Sequence, residues 1–461
     1  MALVEHITSL MSFWRRRKPV DVPAMDPDGV LQGSGSIRFR IPSSVAPTQQ
    51  GLSGSAAAAE AIRRGSATKP TDPSPALSKA LSIPCPDPTA EDRERDRHQA
   101  HGRAMARQER WDDIAAALAG ADKARTQTDG GMPLADLICF GARSDVVAAV
   151  EHVLVSGKPD KGAPLLDGIE ALEEILAAMP DDPWIASIVA FTHMDIGWAW
   201  RGTGWDAEVP ARNMAAFSAH FDRAADILDP FNAKELDAPL VASAQCALAA
   251  GITDRHPRLA DQYETLIDLN PANPRAMRAF GAHMLPRWHG SYEQLELQAR
   301  RTAGRHDAQW GAGGYTWVMF DAISTDAEAC ANLDLEFFIE GLRDILARCT
   351  DQHTVNLMAS YCANTMGHVA TGNDEADHIR AQIADCAAWI VREHLTEVHP
   401  MLWAHAARGF DNALRVRCPD RFAASGYADA LRIIADLYRK EMRVERSSVS
   451  FPRALPTPST A

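Results

Sequence analysis

The chain has no apolar run near the roughly 20 residues that a membrane-spanning helix needs. It also has no Cys-x-x-Cys pair, no His-Glu-x-x-His, no Gly-x-Ser-x-Gly and no Gly-rich loop ending in Lys-Ser/Thr. Each absence removes a class of protein. Closely spaced Cys and His are what let one helix or hairpin hold zinc, and a strained Gly-x-Ser-x-Gly turn is what lifts a serine nucleophile from a sheet. The eight cysteines (Cys85, Cys139, Cys246, Cys330, Cys349, Cys362, Cys386 and Cys418) are scattered, most of them in apolar phrases. Buried reduced thiols are expected, because a chain this long needs no disulfide framework. Positive charge is also short: the formal net charge is −14. An acidic chain repels phosphate, so nucleic acid is not an expected partner.

The N-terminus, MALVEHITSLMSFWRRRK, has its basic run after the apolar residues, and Glu5 and His6 interrupt them. A secretory signal has the opposite order, so the cytoplasm is the expected compartment. Phe13-Trp14-Arg15-Arg16-Arg17-Lys18 pairs aromatic with basic residues, a weak signal for an anionic surface set against the simpler reading of a solvated tail.

What is present is a helical chain. Of 461 residues, 46% are hydrophobic and 23% charged, ordinary values for a protein that buries a core. Residues 1–95 are rich in Pro, Ser, Gly and Ala and are expected to form a disordered tail, since they have too little apolar surface to offset the entropy of ordering. Residues 96–445 are expected to form the helical domain and 446–461 a second tail. Apolar stripes recur at helical spacing throughout. Leu165, Ile169, Leu172, Leu176 and Met179 form one, and Met214, Phe217, Phe221, Ala225 and Leu228 another. Leu335, Phe338, Leu342, Ile345 and Leu346 form a third, with Asn332 or Asp334 placed to cap it. No stretch alternates like a strand for long.

Three corners share one pattern: Met179-Pro180-Asp181-Asp182-Pro183-Trp184, Leu228-Asp229-Pro230-Phe231-Asn232-Ala233 and Leu269-Asn270-Pro271-Ala272-Asn273-Pro274. Proline ends one helix because it has no N–H to donate, and Asp or Asn caps the next. The corners are about 50 and then about 41 residues apart, against the roughly 34 of a tetratricopeptide unit. The expected fold is therefore all-α, a tetratricopeptide-like α-solenoid of helical hairpins with insertions.

Two turns go beyond this grammar: Trp198-Ala199-Trp200-Arg201-Gly202-Thr203-Gly204-Trp205 and Leu285-Pro286-Arg287-Trp288-His289-Gly290-Ser291-Tyr292. In this order they resemble a group of bacterial tetratricopeptide-like proteins of unknown function that carry an Ala-Trp-x-x-Arg-Gly-x-Gly turn and a Leu-Pro-Arg-Trp-His/Gly-Gly turn. The resemblance runs from Pro164 to Arg301. It has one departure: Trp205 stands where a smaller residue or Tyr is usual. The resemblance implies a fold and no activity.

Each turn admits two readings. Trp and Arg are the residue types most often found at binding hot spots. Trp200, Arg201 and Trp205, with Arg287, Trp288 and His289, would then line a groove for a protein or peptide. Alternatively Arg201 bonds helix-end carbonyls while Trp198 and Trp200 pack on the next helix; in the second turn Pro286 ends a helix, Gly290 turns the chain and Ser291 caps the next. That account leaves His289 unexplained. The leading expectation is a non-catalytic partner-binding scaffold without cofactor, metal or catalytic residues. Its rival is a metal- or carboxylate-assisted hydrolase or small-ligand binder using Arg287, Trp288 and His289, with a carboxylate such as Glu293. Of the sixteen histidines, His353, His368, His378, His394, His399 and His405 cluster in sequence, yet no two of them lie three or four residues apart. The glycines of Trp310-Gly311-Ala312-Gly313-Gly314-Tyr315 are expected to mark a break between helices or a close backbone crossing.

Overall fold

Helices begin where the corner grammar places them. Asp182 accepts hydrogen bonds from the N–H groups of Trp184 and Ile185, with Pro183 at the first helical position. Asn232 does the same for Lys234 and Glu235, and Asn273 for Arg275 ahead of Pro274. Of the two residues placed to cap the Leu335 helix, Asp334 does so, accepting from Phe337 N–H at 3.1 Å. Each cap satisfies N–H groups that no intrahelical carbonyl can reach.

The structure is a computed structural model that describes residues 81–154, 166–202, 208–251, 258–367, 370–410, 416, 418–439 and 449–450, all within one compact unit. Sixteen helices of seven residues or more carry the described residues: α1 (Ala90–Arg107), α2 (Trp111–Ala124), α3 (Leu134–Leu154), α4 (Asp167–Ala178), α5 (Pro183–Arg201), α6 (Ala211–Leu228), α7 (Pro239–Ala247), α8 (Leu259–Leu269), α9 (Pro274–His283), α10 (Tyr292–Arg305), α11 (Gly313–Thr325), α12 (Leu335–Arg348), α13 (Gln352–Ser360), α14 (Asp374–Glu393), α15 (Pro400–Ala406) and α16 (Pro419–Leu437). Among the described residues the fold is all-helical apart from a short parallel pairing of β1 (Leu81–Ser82) with β2 (Val449–Ser450) and an isolated antiparallel bridge between Gln127 and Pro133. No described helix is long and apolar enough to cross a membrane.

From α3 onward, odd- and even-numbered helices differ in burial. Along the odd series α1 packs on α3, α3 on α5, α5 on α7, α9 on α11 and α13 on α15; even helices α4, α6, α8, α10 and α12 pack against odd neighbours. Nearly all of α5 is buried, whereas α6 buries only Phe217, Phe221, Ala224, Ile227 and Leu228. A helix apolar on all sides belongs inside, and one with a single stripe belongs at the surface. The glycines near Trp310 serve a close crossing: a Cβ on Gly314 would lie 2.9 Å from Ala303 Cα, so α10 and α11 meet backbone to backbone there.

Described structure reaches into both expected tails. Ordered structure starts before residue 96: Leu81 is buried in β1, and α1 begins at Ala90 behind a capping box in which Thr89 accepts from Asp92 N–H and Asp92 accepts from Thr89 N–H. Glu91 is 4% exposed yet fully bonded, taking Arg95 Nε at 2.5 Å, Thr128 Oγ1 at 2.6 Å and Gly130 N–H at 2.9 Å. A local cap and a satisfied buried carboxylate order a segment that apolar content alone would leave loose. The second tail, set at 446–461, contains β2, held by its ladder to β1. Residues 1–80, including Phe13 to Lys18, lie outside the described residues.

Candidate functional site

The first turn closes the C-terminus of α5. Trp198 is buried and meets Phe217 edge-on at 4.9 Å and Phe221 at 6.0 Å, both on α6. Trp200 is half-buried; its carbonyl accepts from Asn213 Nδ2 at 2.8 Å, and the Arg212 guanidinium lies 5.8 Å from its ring. Arg201 is only 3% exposed, donates from Nη1 to the Gly202 carbonyl at 3.1 Å, and lies 5.7 Å from the Trp198 ring. Gly202 takes φ of 70° to turn the chain out of α5. Trp205 lies outside the described residues.

The second turn closes α9. Trp288 N–H donates to the Leu285 carbonyl at 2.9 Å and His289 N–H to the His283 carbonyl at 3.1 Å, while Ser291 Oγ accepts from Gln294 N–H to cap α10. A Cβ on Gly290 would lie 2.3 Å from the Met284 carbonyl oxygen, so glycine is required there. His289 is 7% exposed, and its Nε2 donates to the Ala249 carbonyl at 3.0 Å, which fixes the Nε2–H tautomer. Arg287 is exposed and donates from Nη2 to Thr325 Oγ1 at 3.0 Å; Trp288 is half-buried.

Behind this turn lies a buried polar cluster. His283 Nδ1 and Tyr263 Oη are 2.6 Å apart, and the His283 and His289 rings are 5.8 Å apart. Burial first, and then His289, holds His283 far below the ordinary histidine range; burial, and then Cys246, raises Tyr263. A neutral imidazole beside a neutral phenol is what an apolar interior favours.

A single segment, the 3-10 turn Leu248–Gly251, meets both motifs. The Ala249 carbonyl accepts from His289, and Gly251 lies under the ring of Phe221, which packs on Trp198. The two turns are thus joined through this segment. The five nominated residues among those described do not share one environment: Arg201 and His289 are buried, Trp200 and Trp288 are half-buried and Arg287 is exposed. Among the described residues no group of three or more His, Cys, Asp or Glu side chains is arranged to hold a metal ion.

Sequence reasoning missed a second constellation. Glu173 of α4 receives both Arg223 Nε at 2.8 Å and Arg223 Nη2 at 2.6 Å from α6, and its Oε1 lies 2.8 Å from His193 Nε2 on α5. His193 Nδ1 lies 2.9 Å from His220 Nδ1 on α6. Burial alone would raise the Glu173 carboxyl, but the Arg223 fork and then His193 outweigh it and hold it down to about 2. Burial and then His193 hold His220 down to about 3. The sequence signal was faint, a lone polar His193 inside an apolar phrase and His220 three residues before Arg223. Glu173 and Arg223 edge a cleft of about 280 Å³ that ends at Pro230 and Phe231. Phe231 also borders a neighbouring cleft of about 400 Å³, lined by Asn232, Lys234, Gln245, Gln262 and Thr265.

No protein-family model matches the chain, and comparison with curated proteins and with solved structures likewise finds no match.

Proposed function

We propose that this chain is a tetratricopeptide-like scaffold of helical hairpins, acting in the cytoplasm, that binds a protein or peptide partner through the surface around Trp200, Arg287 and Trp288. The observation that supports it is the division of labour within each turn. Arg201 and His289 are buried and tie the turns to neighbouring carbonyls, while Trp200, Trp288 and Arg287 keep accessible surface. Binding surfaces work best when aromatic and Arg anchors stand on rigid supports, because little ordering entropy is then lost on association. The alternating buried and one-faced helices supply that rigidity, and an acidic surface favours a partner other than nucleic acid.

A photoreactive amino acid at position 287 tests this in cells, with the same probe at exposed Glu109 as control. A discrete crosslinked species at 287, absent at 109 and lost with Trp288→Ala, is expected. Identical crosslinking patterns at both positions would remove the assignment of this surface.

A further inference from the structure

Four side chains from three successive helices form an unbroken chain of hydrogen bonds: Arg223 to Glu173, Glu173 to His193 and His193 to His220. Their hydrogens follow from their partners. An ionised carboxylate only accepts, so His193 Nε2 carries a hydrogen and donates to Glu173. With His193 neutral, its Nδ1 is a lone pair, and the contact to His220 requires a hydrogen on His220 Nδ1. His220 Nε2 is then a lone pair. Among the described residues no hydrogen bond reaches that nitrogen, and the ring is half-buried.

We propose that Glu173, His193 and His220 form a one-proton relay, in which His220 Nε2 is the accepting atom and His193 holds the charge. An O–H bond of hydronium or of a ligand hydroxyl, or an N–H bond of a ligand ammonium, breaks to leave water, an alkoxide or an amine, and its proton forms an N–H bond at His220 Nε2. The His220 Nδ1–H bond breaks as its proton forms a new bond at His193 Nδ1. The pair gains one proton, His220 ends neutral in the opposite tautomer, and the imidazolium on His193 lies against Glu173. Charge is thus stored on the ring that is 7% exposed, beside a carboxylate already fixed by Arg223, and the outer ring stays uncharged. A second proton is disfavoured, since the rings are in direct contact and burial and His193 both act against charge on His220. The chemistry offered is that of an oriented general base. The charged and titratable groups facing the pair are Glu173 from α4 and Arg223 from α6, with Asp226 beyond Arg223. This inference does not depend on the partner-binding surface.

Histidine-selective nitrogen-15 labelling of the full chain tests it, with ring assignments from His193→Gln and His220→Gln. At neutral pH His193 is expected as the Nε2–H tautomer and His220 as the less common Nδ1–H tautomer. On acidification both rings should respond with one shared midpoint, His193 moving to the imidazolium pattern and His220 to Nε2–H. Glu173→Gln should lower that midpoint by about one pH unit or more, and Arg223→Gln should raise it, because the two charges act on the imidazolium in opposite senses. Independent midpoints, an Nε2–H His220 at neutral pH, or a midpoint unmoved by both variants would overturn the relay. A pair that is merely structural would keep His220 in one tautomer across the His193 response.

Discussion

The turns after α5 and α9 use nearly the same residue types and place them in opposite ways. In the first, Arg201 is buried and Trp200 half-covered; in the second, Arg287 is exposed and His289 takes the buried place. What differs is the support behind each. Arg201 follows Trp198, whose ring is clamped by Phe217 and Phe221, and the helix geometry carries Arg201 inward with it. Arg287 follows Pro286, outside the helix, where the chain has already turned toward Thr325. A motif of Trp, Arg and Gly thus specifies a turn, and the residue one turn upstream decides which side chain meets solvent.

The largest expected separation between the turns lies in their tryptophans. Trp198→Ala removes a fully packed indole and should cost about 4 kcal/mol, whereas Trp288→Ala, half-buried, should cost about 2 kcal/mol. Chemical denaturation of the two variants measures the difference. Equal losses would mean that the second turn is as deeply seated as the first, and the comparison would collapse.

The arginines come next. Arg201→Ala takes a buried guanidinium from the Gly202 carbonyl and the Trp198 face and should destabilise by about 2 kcal/mol, while exposed Arg287→Ala should change stability by less than about 0.5 kcal/mol. If Arg287→Ala proved the costlier, its contact with Thr325 would be structural and the proposed binding surface would lose its main cation.

How much of this was legible in the sequence follows from the range of each interaction. The caps at Asp182 and Asn273 are local, set by residues within a turn, and the pattern around them was sufficient. For Asp334 and the crossing at Gly314 the pattern narrowed the choice to two, Asn332 or Asp334 as cap and a helix break or a close crossing. The order at Glu91 was not legible, because its partners Thr128 and Gly130 lie far along the chain and no periodicity announces them. His289 stood out as the residue that helix termination leaves unexplained, yet its partner, a backbone carbonyl at Ala249, has no sequence signature. Glu173, His193 and His220 left only a faint signal for the same reason: each is an ordinary residue on its own helix, and only packing brings them into line. Glu173, Trp198, Arg201 and His289 all show the same limit, since sequence pattern fixes the helix a side chain stands on and leaves open the helix it faces.

The smallest expected effect sharpens the comparison through pH, since two buried histidines, His283 and His289, pack together at the second turn. His283 is held neutral in the folded chain, far below the ordinary value near 6.5 that the unfolded chain recovers. As pH falls below about 6.5 the unfolded state takes up a proton that the folded state refuses, so stability present above that pH is lost on acidification. By pH 5 the cost from one such histidine is about 2 kcal/mol, and structure remaining around it in the unfolded chain brings the expected figure nearer 1 kcal/mol. His283→Gln keeps a hydrogen-bonding group opposite Tyr263 and removes the titration. The variant should start less stable at pH 7.5 and lose about 1 kcal/mol less than the parent between pH 7.5 and 5. Parallel curves would show that His283 already binds a proton when folded, placing a charge behind the second turn and giving Arg287 an electrostatic reason, beyond its position after Pro286, to face solvent.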